Sequence, residues 1–373
     1  MRILSAQISN FRNIESAKLE FSSGVNALIG PNGQGKTNAL EALYCIAALR
    51  PLRNVTRANL VQTGHKVANI KVNVSVKATG LEHELQQTLT SSSRKLRKDG
   101  KTSDANNILG TLTAVAFTPD DLEISKGSPD LRRKFIDRAI LNTRPAYLET
   151  ALTYSRAVKS RNKLLSDDGD EILLDAYDET VAKAGAEIVH ARKNYCLEFT
   201  PDVVRFFKEI ARPCPELTIN YSSTINEIVD LESIDKTTEN FIELLYNRRQ
   251  KDRWRKSTTR GPHLDDLKIE FDGASAKTRA SQGQHRALVL AIKLAEIVHL
   301  ERSLQEPPVL LLDDISSELD AVRSEQLFAQ LSDLDAQVIL TTTHESQIPK
   351  SLRDSLEPTR IYDVHSGKLS PRA

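Results

Sequence analysis

Eight residues near the start of the chain form a glycine-rich segment that could bind a phosphate chain. The segment GPNGQGKT runs from Gly30 to Thr37 and matches the pattern G-x-x-x-x-G-K-[ST]. Glycines let backbone N–H groups converge on phosphate oxygens, the Lys36 ammonium adds a positive charge, and the Thr37 hydroxyl could bind Mg²⁺. The predicted phosphate site consists of Gly30, Pro31, Asn32, Gly33, Gln34, Gly35, Lys36, Thr37 and Asn38.

Two carboxylates follow an apolar segment late in the chain. The residues LLLDD span Leu310 to Asp314, as in a buried strand that ends in acidic residues. Phosphoryl transfer depends on positioned charge, so Asp313 could bind Mg²⁺ with Thr37, and Asp314 could orient or deprotonate the attacking water. The alternative is an acidic strand end that caps a neighbouring helix.

Three further groups of residues complete the set that could do chemistry. His344 follows the apolar run Val338–Thr342 and could sense a terminal phosphate, although a lone histidine at a strand end is more often structural. The predicted catalytic residues are Lys36, Asp313, Asp314 and His344. The remaining motif residues are Asp320 in SELD, which alone would indicate a turn or a helix cap, and Ser281, Gln282, Gly283 and Gln284 in SQGQ. The order of these motifs predicts an ATP-binding head that is divided along the chain.

The sequence around the glycine-rich segment supplies the elements that a phosphate loop requires. Ile3–Ile8 alternates apolar and polar residues, Ala17–Phe21 fits a second strand, and apolar Val25–Ile29 leads directly into Gly30. A helix is predicted from Lys36, since the residues that share one apolar face are Leu40, Leu43, Tyr44 and Ala47. Strand, glycine-rich loop and helix therefore follow one another in the required order.

The rest of the chain divides into β-rich and helical stretches. Residues 67–90 alternate as strands do, and Asp99-Gly100 predicts a hairpin turn. The pattern is helical from about 128 to 212, while strand signals return at Leu267–Phe271. We predict a head formed by residues 1–120 and 260–373, with 50–117 as a β-rich elaboration. Residues 121–259 are predicted to form an inserted helical lobe.

Composition is that of an ordinary globular protein. Hydrophobic residues make up 39% and charged residues 27%, and the formal net charge is +1. The three cysteines are far apart, which fits a reducing compartment and favours a cytoplasmic location. No apolar run approaches the ~20 residues that span a bilayer, so no membrane partner is expected.

Basic residues are concentrated in two short runs. The first, at a predicted hairpin, contains Arg94, Lys95, Arg97, Lys98 and Lys101. The second contains Arg248, Arg249, Lys251, Arg253, Arg255, Lys256 and Arg260, with Trp254 as the only tryptophan. Such runs can neutralise nucleic-acid phosphates, or they can be solvated surface. The first run is our DNA candidate. For the second, DNA contact and packing of Trp254 inside the lobe are both open.

The motifs resemble those of ABC-type ATPase heads of the SMC and Rad50 kind, and within that group those of the RecF family. Four further stretches carry the narrower resemblance, which covers nearly the whole chain: NFRN at 10–13, FTPDDL at 117–122, KGSP at 126–129 with Arg132 and Arg133, and GPHLDDL at 261–267. The resemblance implies an α/β fold: a P-loop NTPase head of mixed sheets and helices with an inserted α-helical lobe.

The resemblance also implies a mechanism. In such heads the signature SQGQ of one subunit closes over ATP and Mg²⁺ held by the other, so Ser281 and Gly283 are expected to meet the γ-phosphate across a homodimer. Arg12 is expected near the phosphates, and Asp320 near the dimer interface. The implied function is a weak ATPase that binds double-stranded and gapped DNA and, with the partners RecR and RecO, supports RecA loading.

Four departures from the family pattern bear on this expectation. Gln282 replaces a glycine of the transporter signature, and Asp314 stands where many relatives have glutamate. The glutamine expected after the strand at Ala114–Phe117 is missing, and Thr118, Asp120 or Asp121 could take its place. Leu264 stands where the RecF pattern usually has arginine.

Other functional classes share part of these motifs. A transporter ATPase subunit has the same motif order but needs a coupling surface for a membrane partner. A P-loop kinase has no need for a signature acting across subunits. A nucleotide-sensing structural protein without hydrolysis would not need Asp313, Asp314 and His344 together.

Overall fold

The chain folds into two units. The computed structural model describes residues 1–53, 55–167, 169–212, 214–225, 233–314, 331, 335–348, 352 and 358–372. Unit 1 contains Met1–Leu122, Arg205–Pro213 and Gln282–Ala373, and unit 2 contains Glu123–Val204 and Cys214–Ser281. Both units are therefore assembled from separate stretches of sequence.

The elements of both units follow in chain order. The strands are β1 (Arg2–Phe11), β2 (Ile14–Glu20), β3 (Val25–Ile29), β4 (Ala68–Val76), β5 (Leu81–Leu89), β6 (Arg94–Lys98), β7 (Lys101–Ser103), β8 (Ala114–Phe117), β9 (Leu217–Ser222), β10 (Asp266–Phe271), β11 (Ala274–Ser275), β12 (Val309–Asp313), β13 (Val338–Thr342), β14 (Arg360–His365) and β15 (Lys368–Pro371). The helices are α1 (Lys36–Ala48), α2 (Ala105–Ile108), α3 (Leu122–Lys126), α4 (Pro129–Thr143), α5 (Tyr147–Ser166), α6 (Glu171–Ile210), α7 (Ile234–Asn247), α8 (Arg249–Arg255), α9 (Ala276–Arg279) and α10 (Gln282–Leu304).

An antiparallel sheet of six strands forms one layer of unit 1. Its order is β2-β1-β4-β5-β6-β7. Every second residue of β4 is buried, which confirms the strand predicted from the alternation of residues 67–90. Asp99 and Gly100 have φ angles of 51° and 76°, the left-handed conformation that a tight hairpin turn requires. The predicted turn between β6 and β7 is therefore confirmed.

A second, mainly parallel sheet forms the core of unit 1. Its order is β15-β14-β3-β13-β12-β8, and only the β14–β15 pair is antiparallel. Every residue of β3, β12 and β13 is buried, as expected for the apolar runs of a sheet covered on both faces. These three predicted strands are confirmed. Since the strands are parallel, their carboxyl ends lie at one edge.

Unit 2 is mainly helical and contains a small sheet. Strand β10 pairs with β9 and β11. Residues 260–281, predicted as part of the head, belong to unit 2 because β10 pairs there and the Arg132 guanidinium binds the Asp266 carboxylate at 2.8 Å. The head boundary thus differs from the predicted one.

Two of the sequence stretches that indicated the RecF family bind one another in unit 2. Besides the Arg132–Asp266 ion pair, Arg133 donates a hydrogen bond to the Asp265 carbonyl at 2.6 Å. Asp265 is buried and accepts a hydrogen bond from the Thr224 amide at 2.7 Å. The two stretches, KGSP with its two arginines and GPHLDDL, are therefore held together by these contacts. Leu264, at the position where arginine is usual, is 45% exposed.

A buried ion network fixes the second basic run. Arg161 on α5 is fully buried and binds Asp178 on α6 at 2.5 Å and Asp252 on α8 at 2.8 Å. Arg249 binds the second Asp178 oxygen at 2.6 Å, and Arg253 pairs with Glu171. Part of the second basic run is therefore structural, because its cations neutralise acids of unit 2.

Loss of Arg161 should destabilise unit 2. In Arg161→Ala the carboxylates of Asp178 and Asp252 stay buried with fewer partners, so the free energy of unfolding is expected to fall by about 3–5 kcal/mol. Urea unfolding followed by circular dichroism measures the change. The matched control is Arg156→Ala, an exposed position on the same helix. Equal midpoints for the two variants would contradict the assigned role of the network.

His263 should make unit 2 sensitive to acid. Its ring lies between the Tyr154 hydroxyl at 2.6 Å and the Thr258 carbonyl at 3.0 Å. Burial lowers the pKa of His263, although the Thr258 carbonyl and Asp265 oppose that shift. The unfolded chain therefore binds the proton first, and stability should fall as the pH drops below about 6.5, by at most ~1.4 kcal/mol per pH unit.

The pH effect can be measured by urea unfolding between neutral and mildly acidic pH. His263→Gln should flatten this dependence, while His65→Gln, an exposed control, should leave it unchanged. A wild-type protein whose stability does not depend on pH over this range would show that His263 is not held neutral.

Candidate nucleotide site

The predicted site residues meet at the carboxyl edge of the parallel sheet. Strand β3 leads into the glycine-rich loop, β12 ends at Asp313, and β13 ends two residues before His344. Strand β13 pairs with both β3 and β12, so these three strand ends are neighbours. Residues separated by about three hundred positions in the sequence thus lie along a single edge.

The glycine-rich loop depends on the absence of side chains at two of its positions. A Cβ atom on Gly30 would lie 2.2 Å from the Val364 carbonyl oxygen. Gly35 has a φ of +112°, and a Cβ there would meet the Asn13 amide at 2.6 Å. The Asn13 side chain in turn donates to the Gln34 carbonyl at 3.1 Å and accepts from the Asn38 amide at 2.8 Å. Asn13 therefore supports the loop from outside.

Lys36 lies inside the loop at the start of α1. Its ammonium donates to the carbonyls of Gly30 at 2.6 Å and Pro31 at 2.9 Å. Burial lowers the pKa of Lys36, while the carboxylates of Asp314 and Asp313 oppose the shift. The fold thus holds a buried cation within the loop and close to Asp313 and Asp314.

Thr37 and Asp313 form the pair that fits a magnesium ion. The Thr37 hydroxyl donates to Asp313 Oδ1 at 2.7 Å, and the Thr341 hydroxyl donates to the same oxygen at 2.9 Å. Burial raises the pKa of Asp313, against which these two hydroxyls and Arg53 act. Hydroxyl and carboxylate oxygens are ligands that Mg²⁺ prefers, so the residues present fit this ion with nucleotide phosphates.

Asp314 follows directly at the end of the strand. It has a φ of 48°, a left-handed conformation that non-glycine residues seldom adopt and that often marks a functional position. Its backbone N–H donates to the Thr341 hydroxyl at 3.0 Å. Thr341 therefore holds both acids, since its hydroxyl accepts from the Asp314 amide and donates to Asp313.

His344 caps a short turn at the end of β13. Its Nδ1 lies 2.9 Å from the Ser346 hydroxyl, and its backbone N–H donates to the Gln347 side-chain oxygen at 3.3 Å. Gln347 also accepts from the Thr342 hydroxyl at 2.6 Å. The histidine is thus at the strand edge, as predicted, with one ring nitrogen engaged locally.

The three candidates for the missing glutamine differ in their surroundings. Asp121 Oδ2 accepts from the Thr118 amide at 2.7 Å, and its Oδ1 lies 3.0 Å from the ammonium of buried Lys293 on α10. Asp121 is therefore engaged in holding the end of β8. Asp120 is exposed and Thr118 is half-buried, so these two are the candidates that remain accessible.

Arg12 lies against α1. Its guanidinium forms an ion pair with buried Glu41 at 2.8 Å and donates to the Asn59 carbonyl at 2.9 Å. Arg12 itself has a φ of 55°, so the NFRN turn bends the backbone sharply after β1. The predicted role of Arg12 near the phosphates stays a prediction.

The signature residues lie at the start of a helix. Ser281 immediately precedes α10, and both Ser281 and Gln282 are exposed, while Gly283 and Gln284 are half-buried. A position at a helix amino terminus suits contact with a phosphate, because the helix dipole favours anions there. Asp320 and the rest of SELD lie outside the described residues.

Comparison with known proteins assigns the family. A model of the RecF/RecN/SMC N terminal domain matches residues 2–368. The DNA replication and repair protein RecF of Myxococcus xanthus (strain DK1622) is 41% identical over 378 residues, which cover 100% of this chain and 98% of the relative. The chain belongs to the RecF family.

Solved structures agree with this assignment. A RecF structure, described as the recombination mediator protein with ATP in the RecFOR pathway, has a TM-score of 0.89 and 30% identity. The match covers 100% of this chain and 97% of that RecF chain. An Smc head bound to the C-winged helix domain of ScpA has a TM-score of 0.55 at 15% identity, covering 100% and 98%, and so shares the fold. The predicted ABC-type ATPase head fold is confirmed.

Sequence reasoning missed several residues that build this RecF-family site. Thr341 bonds both acids, Arg53 lies 3.9 Å from Asp313, and Lys293 holds Asp121. Threonines in TTTH were visible, and a threonine that points to the same edge as an adjacent strand's acid could have been inferred. No pattern in the sequence indicated that Arg53 or Lys293 would lie at the site.

Removal of the Thr37 hydroxyl should separate nucleotide binding from its magnesium dependence. Thr37→Val removes the hydroxyl that is predicted to bind Mg²⁺ and that donates to Asp313. The gain in ATP affinity that Mg²⁺ brings should therefore be about 5- to 150-fold smaller than in the wild type. Titration calorimetry with ATP, in Mg²⁺ or in EDTA, measures the difference. Thr37→Ser keeps the hydroxyl and is the control. A valine variant with full magnesium dependence would refute the ligand assignment.

Proposed function

We propose that this chain is an ATP-switched DNA-binding protein of replication and repair. Two copies would close over bound ATP, and slow hydrolysis would release them. The observation that carries the proposal is the Thr37–Asp313 pair at 2.7 Å, at the mouth of a glycine loop with Lys36 inside it. The names of the relatives, DNA replication and repair proteins, and the ATP of the solved RecF support the same function.

The proposed nucleotide contacts use the residues of the strand edge. Loop N–H groups and Lys36 would hold the phosphates, while Thr37 and Asp313 would hold Mg²⁺. When bound, the ion neutralises phosphate charge during transfer. Asp314 would position the water, and its side chain is shorter than the glutamate of many relatives, which fits a slow ATPase.

The signature residues would act across the dimer. Ser281 is exposed at the start of α10 and so is accessible to a second copy. Its hydroxyl and the Gly283 N–H would bind the γ-phosphate held by the partner subunit. Closure would then require ATP, because the phosphate supplies the shared ligand.

The first sheet of unit 1 offers a surface for DNA. On its outer face, cross-strand register aligns Lys18, Gln7, Lys71, Gln86, Arg97 and Thr102 in one row. Lys18, Lys71 and Arg97 lie on alternate strands, so about 10 Å separates one cation from the next. Lys71 also pairs with Glu84 at 2.5 Å. A polar row with spaced cations suits contact with a phosphate backbone without base readout.

The structure divides the five predicted basic residues between two faces. Arg94 donates to the Leu49 carbonyl, and Lys98 donates to the Thr111 hydroxyl at 2.8 Å. Lys95, Arg97 and Lys101 are exposed. Lys101 is directly opposite Lys98 in the strand register, so it lies on the face of Arg94 and Lys98 despite its exposure. The proposed DNA surface therefore consists of Lys95 and Arg97 together with Lys18 and Lys71, while Arg94 and Lys98 stabilise the hairpin.

The dimer proposal predicts a change of mass with nucleotide. Wild type should shift from monomer to dimer with Mg·ATP in light scattering, and Asp314→Asn should hold the dimer longer, because the variant binds ATP but hydrolyses it poorly. Lys36→Ala should lose ATP binding and dimerisation together. Ser281→Arg should bind ATP as a monomer, whereas Ser155→Arg, an exposed control on α5, should dimerise. Normal dimerisation of Ser281→Arg would refute contact across subunits.

The DNA surface predicts a loss of affinity that depends on salt. Lys95→Glu with Arg97→Glu should weaken duplex binding and lower the slope of log affinity against log salt by about 2, roughly one unit per lost phosphate contact. Fluorescence anisotropy of a labelled duplex measures both. The control is Lys268→Glu, an exposed strand lysine of the other unit. Equal effects of the two substitutions would refute the assigned surface.

The proposal also specifies the DNA forms, the protein partners and the cellular location. We propose gapped as well as double-stranded DNA as ligand, RecR and RecO as protein partners, and action in the cytoplasm. Within the described residues no helix has the length and apolarity that crossing a membrane requires. The pathway named for the solved RecF supports this partner set.

A further inference from the structure

The only tryptophan of the chain is exposed on the surface of unit 2. Trp254 on α8 is 79% exposed, so it does not pack inside the lobe. Burial of an indole is worth several kcal/mol, and a tryptophan left in solvent therefore costs stability that packing could have supplied. The position calls for a reason other than folding.

The buried ion network determines that orientation. Arg249, Asp252 and Arg253 are spaced by three and one residues and bind acids and an arginine of α5 and α6. At 100° per residue, they occupy one side of α8. Trp254, Lys251 and Arg255 therefore face the other side. The helix is held on its inner side by ion pairs and presents its aromatic ring outward.

The exposed residues that flank Trp254 in the sequence are cationic. Lys251, Arg255 and Lys256 are all exposed, and the Arg255 guanidinium lies 5.8 Å from the Trp254 ring centroid. Among the described residues Lys251 and Lys256 form no ion pair. The acid within α8, Asp252, is buried and bound to Arg161. The exposed side of α8 thus carries positive charge that the network does not neutralise.

This combination distinguishes a nucleic-acid surface from a protein-docking one. A hydrophobic docking patch would surround the tryptophan with aliphatic side chains, but the sequence of α8 is RQKDRWR and Trp254 is its single apolar residue. An aromatic ring among cations is the arrangement that binds unstacked bases, with the cations on the phosphates. A duplex would not suit the ring, because its bases are already stacked.

We propose that Trp254, with Lys251, Arg255 and Lys256, is a stacking site for a base of single-stranded DNA. It rests on the proposed function for the class of ligand, and it adds a site separate from the outer face of the first sheet. At a gap, this stacking site would take the unpaired strand. The site contains no sequence-reading group, so binding should tolerate any sequence that can unstack.

The fluorescence of Trp254 can report binding at this site directly, because the chain has no other tryptophan. In the full-length protein, a short oligothymidine strand should quench Trp254 fluorescence, and a blunt duplex of the same length should not. Trp254→Ala should weaken binding of a labelled oligothymidine about 5- to 150-fold, the loss expected for one stacked base, and Trp254→Phe should retain most of the affinity. Lys251→Gln with Lys256→Gln should lower the salt slope by roughly 1.4. The control is Lys183→Gln, an exposed lysine on α6.

The outcomes separate this site from the ATP switch. Trp254→Ala should dimerise normally with Mg·ATP and bind blunt duplex like the wild type. Absence of quenching in a protein that still dimerises and binds duplex would overturn the stacking site and leave the switch intact. Unchanged oligothymidine affinity in Trp254→Ala would likewise overturn it and assign the ring to a protein contact. Equal quenching by strand and duplex would exclude base stacking.

Discussion

The hydrogen bond from Thr37 to Asp313 joins two parts of the chain that lie 276 positions apart, and the site of unit 1 depends on it. It forms because β3 and β12 both flank β13 and run in the same direction, which brings the glycine loop and the acid to one edge. Thr341 on β13 adds a second hydroxyl to the same oxygen. Three elements are thereby held around one carboxylate, and the geometry that the proposed Mg²⁺ site requires follows from the sheet.

The same sheet explains how much could be predicted. Short apolar runs predict buried parallel strands, as in Val25–Ile29, Val309–Asp313 and Val338–Thr342. The acids and the loop that follow these strands must then share one edge of the sheet. Asp99-Gly100 likewise has the local chemistry of one turn type. Arg53 and Lys293 could not be predicted, because their positions depend on where distant elements pack.

The fate of the two basic runs shows the same limit. In each run the sequence shows the density of basic residues. It does not show which of their side chains face solvent, because that depends on partners far along the sequence. Arg94 turns inward because the Leu49 carbonyl accepts its hydrogen bond, whereas Arg97, three residues on, faces solvent. On α8, Arg161 binds Asp252 and Asp178 binds Arg249, so one side of the helix is held inward and Trp254 is left outside. The predicted head boundary near 260 differed for a related reason: β10 pairs with β9, which lies some fifty residues earlier.

The strand order of the core sheet also has a consequence for the chain during its synthesis. Strand β3 ends at residue 29, yet both of its neighbours, β13 and β14, come from residues 338–365. During synthesis at about 5–20 residues per second, this apolar strand waits roughly 15–60 s with both edges unpaired. Unpaired apolar strands invite pairing with other chains. This apolar strand is therefore exposed to pairing with other chains until residues 338–365 have been synthesised.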